Sequence, residues 1–148
     1  MMANLRCILV DSKKHRAWPA LNRLGIGLDN EVAAQIAGLY ATCPDELQDG
    51  NFGTTCKTIE QRRGETHGDD SKLTPTERRF QLLLAAEKKD GELYDRVRRM
   101  VAMATSQGVA INYTQLETDL RFWGDRVKVE WATAFWAAKG GAVTEEAS

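Results

Sequence analysis

Residues 121–136 read RFWGDRVKVEWATAFW. Two readings of this stretch compete, and they lead to different folds. The alternation V-K-V-E-W at 127–131 is the nearest approach to a strand pattern in the chain. Wound as a helix from Asp125, the same residues put Val127, Trp131, Ala134, Phe135 and Ala138 on one face, the spacing of core packing. The stretch also holds three of the four tryptophans, with Arg121, Arg126 and Lys128 among them. Rings interleaved with cations are one way to hold single-stranded nucleic acid, by stacking on bases and gripping phosphate. On the helical reading the rings build a core instead, and Trp123 joins it from the end of the preceding helix. Val129, Ala132 and Trp136 then form a second apolar strip on nearly the opposite side, a possible contact for the N-terminal part or another subunit. Only the cations remain for nucleic acid, and Arg126 and Lys128 lie on different flanks.

The rest of the chain favours the helix. Pro19 suits a first helical turn in AWPALNRLG, which stops at Gly25. Asp29 or Asn30 can cap EVAAQIAGLYA, which ends before Cys43-Pro44 because the residue before proline disfavours helix. DELQDG (45–50) reads as a turn, and Phe52, Cys56 and Ile59 share one helical face. Thr74-Pro75-Thr76-Glu77 is a capping box with proline at the first helical position. Asp90 can cap GELYDRVRRMVAMATSQ, with the stripe Leu93, Val97, Met100, Val101 and Ala104 and a stop at Gly108. Asn112 and Gln115 read as a second capping box, opening a helix with the stripe Tyr113, Leu116, Leu120 and Trp123. These signals predict an all-α protein of two small helical parts, residues 1–63 and 74–140, the second an antiparallel helix bundle. Residues 64–73 read as a mobile linker and 141–148 as a disordered acidic tail.

Composition narrows the function. The chain has 148 residues and a formal net charge of −1, so nucleic-acid binding by bulk charge is excluded and any such role needs local placement of cations. Cys7, Cys43 and Cys56 form no paired motif, and His15 and His67 stand apart, so no metal and no cofactor is expected. The apolar run Ile8-Leu9-Val10 is too short for a signal peptide, which points to a cytoplasmic protein. His67, Asp69 and Asp70 are the one grouping that suggests a small metal-dependent nuclease, but they sit in the linker, and no hydrolase or phosphate-loop motif is present. The reading is of a protein that is not an enzyme.

Local pairing sorts the cations. An acid four residues before a base partly cancels its field, which couples Glu92 to Arg96, Asp95 to Arg99 and Glu117 to Arg121; Arg126 meets Glu130 in the weaker orientation. Arg78, Arg79, Arg98 and Lys128 have no acid at that spacing. As surface groups most such residues are simply solvated, which leaves open a plain helical protein-protein interaction module with no nucleic-acid role.

Ordered signatures carry a resemblance: ERRFQLLL (77–84), RVRRMV (96–101), VAINY (109–113) and LRFWGDRVKVEWATAFW (120–136), preceded by AWPALNRLG, GLYATCP and GNFGTTCKTI. Over roughly residues 4 to 138 the chain resembles CasB, the small subunit of the type I-E CRISPR surveillance complex, Cascade. Against longer members it begins near their second helix, so a first helix is expected to be missing or replaced by a partner. The resemblance implies a non-catalytic antiviral-defence subunit. It implies two stacked copies in a ribonucleoprotein with guide RNA and target DNA, contacting the large subunit and the backbone subunits. It further implies a basic path that holds the displaced non-target strand and stabilises the R-loop. Carried onto this sequence, that path is expected to use Arg78, Arg79, Arg98, Arg99, Arg126 and Lys128, with Arg6 and Arg23 as lesser candidates.

Overall fold

The computed structural model describes residues 2–10, 13–27, 30–66 and 72–136. Among these residues are eight α-helices and no strand: α1 (Met2–Arg6), α2 (Trp18–Arg23), α3 (Glu31–Thr42), α4 (Phe52–Arg62), α5 (Pro75–Ala85), α6 (Glu92–Gln107), α7 (Tyr113–Arg121) and α8 (Asp125–Trp136). The V-K-V-E-W segment lies inside α8, and the fold is all-α. One isolated parallel bridge, Glu46 to Ile111, fastens the turn after α3 to the segment before α7. The linker residues 67–71, the tail 141–148, Asp29 and Ala138 fall outside the described residues.

Helix ends follow local chemistry. Thr74 and Glu77 close a reciprocal capping box over α5, as their spacing predicts. Asn30 caps α3 by accepting from Ala33 N at 3.2 Å. A further box at α4, Asn51 with Thr54, has no acidic partner to announce it in the sequence. Two expected caps differ. Asp90 is not the cap of α6: it and Gly91 both adopt left-handed backbone, φ 60° and 75°, and together swing the chain into the helix without a side-chain cap. Asn112 accepts from Gln115 N at 3.2 Å, but the reciprocal half is missing because the Gln115 amide donates to Asp119 at 2.8 Å. The buried Asp119 also accepts from the Trp131 indole at 2.8 Å, so both donors serve a carboxylate that would otherwise be stranded in the core.

Two hydrophobic cores result. The larger joins α3 and α4 to α5–α8, with Phe52, Phe80, Leu83, Leu93, Leu116, Trp131 and Phe135 at its centre. The smaller sits under α1, α2 and the intervening 3-10 turns, around Leu5, Ile8 and Leu21. Helix α3 is the wall between them, giving Val32 and Leu39 to one and Ala34 and Ala41 to the other. The Tyr113 hydroxyl donates to Cys43 O at 2.6 Å and Leu39 O at 3.1 Å, satisfying carbonyls where α3 ends.

The tightest joint is between α4 and α8. A Cβ on Gly53 would lie 2.1 Å from the carbonyl oxygen of Trp131, so the two backbones touch with nothing between them. Asn51 Nδ2 donates to Glu130 O at 3.2 Å beside this contact. Nearby, buried carboxylates tie three helices: Thr74 Oγ1 donates to Glu60 at 2.6 Å, and Glu77 accepts from Thr74 N and from the Trp136 indole, each at 2.8 Å. Six rings pack as two triplets, Phe52 and Trp123 on Trp131, and Phe80, Phe135 and Trp136 on one another, with centroid spacings from 4.5 to 5.3 Å. The rings of the 121–136 stretch are thus core, except Phe122, which is exposed.

Replacing Gly53 by alanine pits a methyl group against backbone that cannot rotate away, and is expected to destabilise the fold by about 3 kcal/mol, read as a lower urea midpoint. Alkaline pH tests the buried phenol and thiol. Burial, and then Cys43 nearby, holds the Tyr113 phenol well above its ordinary value; burial does the same for the Cys56 thiol. Both stay protonated when folded, while the unfolded chain ionises them at ordinary values of roughly 8.5 to 10. Their contribution is therefore full below that range and is lost as pH rises through it. The urea midpoint should fall between about pH 8 and about pH 10.5, and the fall should be shallower in Tyr113→Phe.

Candidate nucleic-acid interface

Helix α6 has two dissimilar flanks on either side of its buried stripe. Toward α5, Arg96 and Arg99 of α6 and Arg79 of α5 line one cleft of about 80 Å³ around Met100. Arg79 and Arg99 are exposed and Arg96 half-buried. Three cations from two packed helices converge here because Arg96 and Arg99 are three residues apart and α5 lies alongside. Arg79 has no ion pair among the described residues, and neither does its exposed neighbour Arg78. Arg99 shares Asp95, at 3.1 Å, with Arg98. The convergence leaves positive charge on a rigid, helix-borne site able to hold an anion such as phosphate.

Arg96 is the residue missed by local pairing. Its expected partner, Glu92, makes no ion pair with it in the structure; Glu92 lines a pocket on the far flank of α6 instead. The legible signal was the shared face of Arg96 and Arg99. Arg98 is also placed differently from its sequence neighbour. It turns away from Arg99 to the far flank, where it pairs with Asp95 and lines the same pocket as Glu92. Sequence spacing hid that pairing because Asp95 stands three residues before Arg98, not four.

The remaining expected cations lie apart. Lys128 is drawn to the end of α5, 3.2 Å from Glu87 and 5.6 Å above the Trp123 ring. From Arg79 to that end is about 9 Å along the helix axis. Arg126 pairs with Glu130 at 3.0 Å on another side of α8, and Arg121 with Glu117 at 2.8 Å, both as the sequence predicts. Arg6 is spent internally, its Nε donating to Ala41 O at 3.0 Å; Arg23 is exposed in the last turn of α2. The second strip of α8 divides. Val129 is 63% exposed, whereas the Trp136 ring packs on Phe80 and Phe135 and its indole is bonded to Glu77. Ala132 is half-buried between them.

Among the described residues no cluster of acids, histidines and cysteines is arranged to hold a metal ion. His67, Asp69 and Asp70 lie outside them. No helix among the described residues is long and apolar enough to cross a membrane.

With this geometry in view, comparison with known proteins gives one consistent answer. The family model described as CRISPR-associated protein Cse2 matches residues 2–136. No curated protein sequence matches significantly. Among solved structures, the crystal structure of CasB from M. ruber is similar in fold, with a TM-score of 0.66 at 22% identity over 97% of this chain and 88% of that one. The family match spans both cores and all eight helices: the chain belongs to the Cse2 (CasB) family of CRISPR-associated proteins.

Proposed function

We propose that this chain is the small subunit of the RNA-guided surveillance complex Cascade and holds the backbone of the displaced non-target strand, stabilising the R-loop. Family membership supports its place as a Cascade subunit. The observation that carries the finer reading is the convergence of Arg79, Arg96 and Arg99 from two helices on one cleft, with the unpaired Arg78 beside it. Exchange of duplex for guide–target hybrid is nearly balanced in free energy, so a few phosphate contacts are enough to tip it. Arg126, Lys128 and Arg98 are already engaged by carboxylates. Exposed pairs of this kind contribute little and yield readily to phosphate, so they serve as secondary contacts; Arg6 and Arg23 rank below them.

In this reading the chain performs no chemistry and needs no cofactor. Guide RNA and target DNA, the large subunit, the backbone subunits and a second copy of the chain are its proposed partners, in the cytoplasm. Exposed Val129, with Ala132, is the proposed protein contact on α8, and Trp136 supports it from within. A helical interaction module without a nucleic-acid role is the second reading, favoured by the ion pairs that occupy four of the six expected cations, Arg98, Arg99, Arg126 and Lys128.

Gel-shift titration of single-stranded DNA over a salt series, with the isolated chain and with the assembled complex, separates the two. Binding should weaken steeply with salt, and Arg79→Ala or Arg96→Ala should each lower the slope by about 0.7. Arg98→Ala, on the acidic flank, should change it least. Salt-independent binding, or none in either form, overturns the proposal. In the assembled complex, Val129→Asp should lower retention of the subunit on gel filtration without moving the slope of the subunit that remains.

A further inference from the structure

The flank of α6 opposite the arginine cleft carries the reverse charge. Glu31 at the start of α3, Asp90 in the turn before α6, and Glu92 and Asp95 in its first turn line one pocket of about 330 Å³, with Arg98 at its edge. Asp95 is held by Arg98 and Arg99. Glu31, Asp90 and Glu92 have no ion pair among the described residues, so the pocket keeps an excess of about three negative charges at neutral pH.

A second observation is independent of the acids. Tyr94 also lines this pocket. It is only 8% exposed, yet its hydroxyl has no hydrogen-bond partner among the described residues, although such groups are normally satisfied when buried. Burial, and then the negative charge of Glu31, raises its phenol above the ordinary value, with Arg121 pulling the other way, so the hydroxyl feels a pocket carboxylate from one side and an arginine of α7 from the other. Tyr113, the comparable buried tyrosine, spends its hydroxyl on two carbonyls of its own chain. Tyr94 thus brings an unpartnered hydroxyl to the lining of an acidic recess.

We infer that this pocket receives the guanidinium of an arginine side chain presented by a protein partner. The acids repel phosphate, which separates the pocket from the strand-holding cleft of Arg79, Arg96 and Arg99. They are not arranged to close on a metal ion, so a larger cation with directed donors fits better. A guanidinium offers five N–H groups in one plane, enough to reach several carboxylates and a phenol oxygen at once, where an ammonium offers three around a point. Ile8 and Leu9 form the apolar wall along which an aliphatic stem can lie. The pocket joins the smaller core, α3 and α6, so a partner seated here would bear on both cores.

The test uses the full chain and the tripeptide acetyl-Gly-Arg-Gly-amide, followed by backbone amide shifts. Saturable shifts with a millimolar dissociation constant should centre on Glu31, Gly91, Glu92 and Asp95, and the citrulline analogue, neutral and of the same shape, should give none. Glu92→Gln should weaken binding about tenfold. Tyr94→Phe should weaken it several-fold without lowering the urea midpoint, since the hydroxyl has no internal bond to lose; a purely structural tyrosine would do the opposite. Equal response to citrulline, shifts elsewhere, or unaltered binding in both variants overturns the inference. So does displacement by spermidine or Mg²⁺ at lower concentration than the peptide, which would make the pocket a general cation sink.

Discussion

Everything in the larger core is arranged around the place where the backbones of α4 and α8 meet, at Gly53 and Trp131. With no side chain between them, the helices come close enough for Phe52 and Trp131 to pack ring on ring and for Asn51 to bond a carbonyl of α8. That approach also sets the depth of Trp131, whose indole reaches Asp119 under α7, and the height of Trp136, whose indole reaches Glu77 at the head of α5. The start of α5, and with it the position of Arg79, is thus fixed through α8.

Charge is separated across α6 while the net charge of the chain stays at −1. Arginines gather on the side facing α5 and acids on the side facing α3. Near-neutral totals exclude binding by diffuse attraction, but local fields depend on placement, and a helix whose apolar stripe is buried must put its charges on the two flanks that remain. The same geometry explains why Arg98 and Arg99, adjacent in sequence, serve different faces, and why Asp95 between them reaches both.

Much of the fold was legible because its helices obey local rules. The Thr74 box, the left-handed Gly108 and the stripe of α6 all stand where periodicity and capping place them. The 127–131 alternation was resolved correctly because Val127, Trp131 and Phe135 also fit a helical face. Legibility failed where a distant group competed for a local one. Gln115 was diverted to Asp119, and Lys128 found Glu87 forty-one residues away in sequence. The site was half legible for the same reason: spacing left Arg79 free and the family resemblance added Arg99, but spacing assigned Arg96 to a glutamate that the tertiary structure uses elsewhere. The Asn51 box was missed because its partner is threonine and not the usual acid or amide.

The contact at Gly53 also has a consequence for synthesis. Asn51 and Glu130, bonded beside it, are 79 residues apart. A chain leaving the ribosome exposes Phe52, Cys56 and Ile59 long before α8 arrives to cover them, and contacts so distant in sequence form slowly. The smaller core, built from α1, α2 and α3, closes from the first 41 residues. The nascent chain therefore carries the residues of the N-terminal core beside an open apolar face until α8 emerges, an interval in which exposed apolar surface favours aggregation.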